Sequence, residues 1–142
     1  RSTYFFYGTL MDIEVLTIVS GLSLTPMRLR PAVLQGYRRV RVQDVQYPAV
    51  YVSDDHSVEG RAVHGIPAPA AERLRLFEND GYDLAVEPVV VGDNTRRKAA
   101  VFAASARMNL TDEDWSFEDW RRQHRRQFML RVNAWAEKLQ RS

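Results

Sequence analysis

A chain of 142 residues, of which 45% are hydrophobic and 27% charged, is long enough to bury a core and is typical of one globular domain. Its formal net charge of +2 is too small to indicate a nucleic-acid partner by itself, and it lacks the apolar run of roughly 20 residues that a membrane-spanning helix requires. The absence of cysteine excludes disulfides, thiolate metal ligands and a cysteine nucleophile.

We expect one domain over residues 1–142, because no linker, internal repeat or low-complexity block interrupts the chain. The first residues do not follow the basic-then-apolar layout of a signal peptide. A chain without cysteine is also compatible with a reducing compartment. The expected location is therefore cytoplasmic.

The first half of the chain is predicted to contain one helix among several short strands. The helix covers residues 12–20, with Ile13, Leu16 and Val19 on one face and Gly21 placed to end it. Prolines 26 and 31 bracket an irregular or edge segment. Alternating apolar residues predict strands at 3–7, 33–42, 49–52 and 58–64. The last two of these strands are expected to form a hairpin, since the polar residues 53–57 between them are typical of a turn.

The second half begins with a short helix after Pro67 and Pro69, in which Ala71, Leu74 and Phe77 share a face. Residues 86–91 and 99–104 are predicted to form a hairpin around the turn residues 92–95. A long amphipathic helix is predicted to start at Ser116, with an apolar side that contains Trp120, Phe128 and Trp135.

This order of elements indicates an α+β fold. Three of the gaps between predicted strands are too short for the helical crossovers that a parallel, doubly wound sheet requires. The pattern therefore favours a small mixed or barrel-like sheet with helices packed outside it and a long helix at the C-terminus.

The first candidate for chemistry is the loop that follows the first strand. The strand is interrupted at Gly8, and Thr9 and Leu10 then lead into a helical pattern. Glycine allows a close approach of the backbone to a ligand, and the first N–H groups of a helix have no intrahelical acceptor. Such a loop is suited to binding a carboxylate, although an ordinary turn between a strand and a helix has the same pattern.

The second candidate is Glu78, at the end of the short helix. It follows Leu74 by four positions, so it lies in line with the apolar face and its carboxyl is expected to turn inward. Burial raises the pKa of a carboxyl group, which suits a group that accepts a proton and returns it. The alternative is a solvated glutamate at a helix end, beside Asn79 and Asp80.

Together the two segments resemble the gamma-glutamylcyclotransferase-like superfamily, in its AIG2-like branch. The resemblance rests on residues 7–10 (Tyr-Gly-Thr-Leu) and on Phe77, Glu78 and Tyr82. Supporting matches lie at residues 36–39, 47–49 and 58–60, so the resemblance covers about residues 4–105.

The resemblance implies a compact, partly closed β-barrel and an acyltransferase reaction. In that reaction the α-amino group of a γ-glutamyl amine or peptide attacks its own γ-carbonyl, which releases an amine and 5-oxoproline. Glu78 would be the general acid and base, and Tyr7, Gly8, Thr9, Leu10 and Tyr82 would contact the substrate. The reaction requires no metal, nucleotide or other cofactor, so we expect none.

One departure from the family pattern keeps a second function open. Many relatives carry basic residues directly after the tyrosine that corresponds to Tyr82, whereas this chain has Asp83, Leu84 and Ala85. The alternative function is a non-catalytic module that retains the pocket and binds a small carboxylate. The leaving group and the oligomeric state, a monomer included, stay open.

The remaining motifs favour ordinary structural roles. The basic stretch at residues 121–126 is preceded by five acidic side chains, which indicates a solvated helix face and not a nucleic-acid site. The three histidines, His56, His64 and His124, lack the spacing of a zinc site. We therefore expect a small-molecule γ-glutamyl substrate as the partner, without nucleic acid, metal or membrane.

Overall fold

A computed structural model describes residues 2–78 and 81–141 of the chain. Within these ranges there are six strands and four helices. The strands are β1 (Ser2–Phe6), β2 (Arg30–Val42), β3 (Pro48–Ile66), β4 (Tyr82–Val91), β5 (Thr95–Ala104) and β6 (Leu110–Asp114). The helices are α1 (Ile13–Ser20), α2 (Ala68–Glu78), α3 (Phe117–Gln123) and α4 (Arg125–Gln140), and short 3-10 turns lie at Thr9–Met11 and Pro26–Arg28.

Five strands close into a barrel in the order β3-β1-β5-β4-β2, since β2 pairs with β3 again. The barrel is mixed: β1 runs parallel to β5, whereas the other pairs around the barrel are antiparallel. The sixth strand, β6, pairs with the end of β2 at Val40 and Val42. The prediction of an α+β fold with a small mixed barrel is confirmed, and the barrel is closed rather than partly closed.

The predicted hairpin between residues 49–52 and 58–64 is wrong, because one continuous strand, β3, covers Pro48–Ile66. It pairs with β2 on both sides of a bulge. There the partner of Tyr37 is Val52 and the partner of Gln35 is Ser57, so Gly36 alone faces residues 53–56. Gly36 has a φ of 81°, which favours glycine. The polar residues that predicted a turn therefore form the bulge.

Alternation along β1 divides its side chains between two apolar clusters. Phe5, and Tyr7 directly after the strand, point into the barrel, where they pack with Leu34 and other strand residues. Tyr4 and Phe6 point outward and are covered by the helices. Because β1 lies between β3 and β5, the loop that follows it leaves the barrel from a position fixed on both sides.

Helix α1 follows that loop and has the predicted ends. The Asp12 side chain accepts hydrogen bonds from the N–H groups of Glu14 (3.0 Å) and Val15 (3.2 Å). Gly21 ends the helix in the left-handed conformation, with a φ of 75°. Asp12 also accepts two hydrogen bonds from Arg125 at the start of α4, at 2.6 and 3.2 Å. This cap therefore joins α1 to the C-terminal helix.

The predicted C-terminal helix begins as expected, with Ser116 as its N-cap, but it is divided at His124 into α3 and α4. Trp120 and Phe128 would lie about 12 Å apart along the axis of one straight helix, given a rise of 1.5 Å per residue. Their ring centroids are instead 5.4 Å apart, in an edge-to-face arrangement. The change of direction at His124 thus lets both helices contribute to one core. Trp120 and Phe128 are buried there, and Trp135 is half-buried.

Candidate active site

The loop after β1 is held close to the start of β3. A Cβ atom on Gly8 would lie 2.9 Å from Cγ of Pro48, which is closer than real contacts allow. Glycine is therefore required here for packing against Pro48, and not for a left-handed turn, because its φ is −125°. Residues Thr9–Met11 form the 3-10 turn, in which the first N–H groups, those of Thr9 and Leu10, have no intrahelical acceptor.

Arg39 supports this loop from β2. Its Nη1 donates hydrogen bonds to the carbonyl oxygens of Tyr7 (2.8 Å) and Glu59 (3.1 Å). The guanidinium also lies 5.6 Å from the ring centroid of Trp115. Burial lowers the pKa of Arg39. The sequence indicates Arg39 only as part of a supporting match, and its position is given by the strand pairing.

Glu78 is the last residue of α2 and follows Leu74, which is fully buried. The residue retains some exposure because it lines an open cavity, but the surrounding protein removes much of the hydration of its carboxyl. Burial raises the pKa of Glu78 from 4.5 to about 8. The carboxyl of Glu78 turns inward to the cavity, as its spacing of four positions from Leu74 predicts.

Two cavities meet at Glu78. The larger has a volume of about 370 Å³ and the smaller about 30 Å³. Four residues line both cavities: Thr9, Tyr47, Glu78 and Tyr82. The smaller is also lined by Tyr7, Gly8 and Leu10. The structure therefore brings together all six site residues predicted from the sequence, although Gly8 and Glu78 are 70 positions apart.

The hydroxyl groups of the two tyrosines beside Glu78 each donate a hydrogen bond to a backbone carbonyl oxygen. The Tyr82 hydroxyl donates to the carbonyl oxygen of Pro48 at 2.7 Å, and the Tyr7 hydroxyl donates to that of Phe102. Burial is the main cause that raises the pKa of each tyrosine, and the nearby Glu78 raises both further. Since a phenol has one proton, each oxygen can only accept from a further group. The tyrosines therefore present acceptors, not donors, to a ligand at Glu78.

Helix α4 forms a wall of the larger cavity, and sequence analysis missed this wall. Phe128, Arg131, Val132 and Trp135 line the cavity, and we call these four residues the α4 wall. Their spacing of three, four and seven positions places them on one helix face. Phe77 packs edge-on against the rings of Phe128 (6.3 Å) and Trp135 (5.2 Å). The spacing was visible in the sequence, but it indicated core packing only.

Several other sequence features lie away from this site. In the ranges that the structure describes, neither cavity is lined by Asp83, Leu84 or Ala85, the residues that depart from the family pattern. Within residues 2–78 and 81–141, no cluster of three or more potential metal-ligating side chains is found. None of the described helices has the length and apolar character required to cross a membrane.

The barrel defines the class of fold. A solved gamma-glutamyl cyclotransferase structure is similar with a TM-score of 0.63 at 13% identity, over 78% of this chain and 68% of that one. The fold is thus that of the gamma-glutamyl cyclotransferases.

The chain belongs to the family described as gamma-glutamyl cyclotransferase, AIG2-like, whose model matches residues 4–122. AIG2-like protein A of Arabidopsis thaliana is 29% identical over 129 residues, which cover 88% of this chain and 75% of the relative. A solution structure of an Arabidopsis thaliana protein is similar with a TM-score of 0.68 at 23% identity, over 90% of this chain and 85% of that one. The resemblance stated from the motifs is confirmed.

Proposed function

We propose that this protein is a γ-glutamyl cyclotransferase that uses Glu78 as its general acid and base. One observation carries the proposal: a carboxyl group with a pKa of about 8 lies in a cavity shared with the loop at residues 7–10. A general acid–base group works best when its pKa is near the operating pH. Family membership supports the reaction type independently.

The reaction closes a ring within one substrate molecule. The α-nitrogen forms a bond to the γ-carbonyl carbon, and the bond from that carbon to the leaving nitrogen breaks. The α-nitrogen loses two protons as it changes from an ammonium to the lactam N–H. The leaving nitrogen gains two protons as it changes from an amide N–H to an ammonium. In this proposal the Glu78 carboxylate accepts a proton from the α-nitrogen and the resulting acid donates it to the leaving nitrogen, for each proton in turn.

The groups around Glu78 fit the charges of such a substrate. The Tyr7 and Tyr82 hydroxyl protons are already used in hydrogen bonds to backbone carbonyls, so the two oxygens are suited to accept a hydrogen bond from the substrate ammonium. The N–H groups of Thr9 and Leu10 are suited to bind the α-carboxylate or the oxyanion that develops at the γ-carbonyl. Holding both ends of the glutamyl group favours the ring-closing conformer, which lowers the entropic part of the barrier.

The test is a panel of γ-glutamyl amines and γ-glutamyl dipeptides, assayed for 5-oxoproline release by the wild type and by Glu78→Gln. We expect release from at least one compound by the wild type and a rate about 10²–10⁴-fold lower in the variant. Binding is measured on the same compounds. If the wild type binds them and releases no 5-oxoproline, the chain is the binding module and the proposed reaction is refuted.

A further inference from the structure

Two groups of residues that differ in character line the larger cavity. The first group is Glu78 and Thr9, beside the loop proposed to hold the γ-glutamyl group. The second group is the α4 wall. A volume of about 370 Å³ is within the range of about 300–1,000 Å³ that encloses whole small-molecule ligands. Since both groups line one cavity, a substrate whose γ-carbonyl lies near Glu78 has its leaving group within reach of the α4 wall.

The α4 wall is mostly apolar. The rings of Phe128 and Trp135, with Phe77 packed edge-on against both, form an aromatic surface, and Val132 beside them is buried. Such a surface favours an apolar or aromatic group, because burying apolar area is favourable.

The same wall carries a cation. Arg131 is exposed at the cavity, and its guanidinium lies 5.8 Å from the ring centroid of Phe128. Among the described residues it forms no ion pair, whereas three other arginines of α3 and α4 pair with carboxylates: Arg121 with Glu118, Arg122 with Asp119, and Arg125 with Asp12 and Glu14. A guanidinium held on a ring binds a carboxylate with two parallel hydrogen bonds.

From these observations, and resting on the proposed function, we propose that the α4 wall selects the leaving group, with Arg131 as the specificity-determining residue. The preferred substrate class is a γ-glutamyl amino acid or dipeptide whose leaving part carries a carboxylate and an apolar side chain. A leaving group that is only cationic is disfavoured, because Arg131 repels it. The wall lies beyond residues 4–122, so the family match does not assign it.

A matched pair of substrates tests this selection. γ-Glutamyl-phenylalanine and γ-glutamyl-phenethylamine differ only in the carboxylate of the leaving group. We expect the wild type to prefer the first by about tenfold in kcat/KM, as one charge-assisted hydrogen-bonded pair provides. In Arg131→Gln, kcat/KM should fall for γ-glutamyl-phenylalanine and stay unchanged for γ-glutamyl-phenethylamine, so that the preference is lost. Arg131→Lys should retain part of the preference.

The control is Arg126→Gln, which removes the same charge from an exposed position of α4 that does not line the cavity. It is expected to keep the full preference. If Arg131→Gln slows both substrates equally, Arg131 acts on the shared glutamyl part and the inference is wrong. Equal use of both substrates by the wild type also overturns it, while release of 5-oxoproline upholds the proposed function.

Binding distinguishes failure of the inference from failure of the proposed function. Calorimetry measures the affinity of both compounds in the Glu78→Gln background, with and without Arg131→Gln. If the wild type releases no 5-oxoproline, yet the carboxylate compound binds about tenfold tighter and Arg131→Gln removes that difference, the proposed reaction is refuted and the selection by the α4 wall stands. If affinity shows no preference, the selection is refuted whatever the turnover.

Discussion

Glu78→Gln is expected to stabilise the fold while it removes activity. The pKa of Glu78 is about 8 in the folded chain, against 4.5 for an ordinary glutamate. The folded state therefore binds more protons than the unfolded state between these two values, so the stability of the wild type falls as the pH rises through that window. Above pH 8 the full difference applies, about 5 kcal/mol at 1.36 kcal/mol per pKa unit. Glutamine does not ionise and escapes this penalty.

Because the pKa of Glu78 is raised, the stability difference between the wild type and Glu78→Gln depends on pH in a characteristic way. Below pH 4.5 the wild type and Glu78→Gln have similar free energies of unfolding, because the carboxyl is protonated in both states. The advantage of the variant then grows with pH and levels off above about pH 8. Measurement is by denaturant unfolding at pH 4.5, 6, 7 and 8.5. A control, Glu72→Gln, lies on the same helix, where its exposed carboxylate pairs with Arg75, and should change stability by less than about 1 kcal/mol at every pH.

Activity provides the second half of the test. In the wild type, kcat/KM for 5-oxoproline release should fall about tenfold per pH unit below pH 8, because at pH 7 only about one-tenth of Glu78 is ionised. Glu78→Gln should not show this fall of kcat/KM below pH 8, and its rate should be about 10²–10⁴-fold lower. A stability difference that is independent of pH would refute the reasoning about burial. A variant that stays within threefold of the wild type in rate would refute the role of Glu78 as acid and base.

Three further changes test the supports of the site. Gly8→Ala should displace the loop and lower 5-oxoproline release at least tenfold, because its Cβ would lie 2.9 Å from Pro48, whereas Gly92→Ala, with no atom within 4 Å, should leave release unchanged. Tyr82→Phe should lower the free energy of unfolding by about 1 kcal/mol, since the Pro48 carbonyl loses its 2.7 Å donor; no change in denaturant midpoint would contradict this. Asp12→Ala should cost about 2–4 kcal/mol in the same assay, because it removes a helix cap and leaves Arg125 without its main partner; a loss below 0.5 kcal/mol would show that solvent replaces both.

The elements that could be predicted from the sequence are those with local causes. Asp12 and Gly21 mark the ends of α1 because capping is decided within a few residues. The hairpin of β4 and β5 was predicted from its turn, although both strands are longer than expected. The error in β3 has the opposite cause: residues 53–57 carry turn chemistry, but β3 pairs with β2 on both sides of residues 53–56, which therefore form a bulge.

The site residues also fall into those with a local sequence signal and those that only tertiary packing brings to the site. Glu78 could be predicted because its spacing from Leu74 points it inward, and Tyr7 to Leu10 because a glycine after a strand is a local signal. Arg131 could not, since an arginine on an amphipathic helix is usually solvated and only the packing of α4 against α2 brings it to the cavity. Whether these residues act as proposed stays a prediction.

The edge-on contacts of Phe77 with Phe128 and Trp135 have a thermodynamic consequence. These rings attach α4 to the helix that ends at Glu78, and the same face of α4 lines the cavity. A ligand that touches both the barrel loop and α4 adds to the attachment of the helix, and by reciprocity the attached helix raises the affinity for the ligand by the same factor. Ligand binding in the cavity should therefore slow hydrogen exchange of the α4 amides. The change in opening free energy and the change in binding affinity both measure the same coupling free energy.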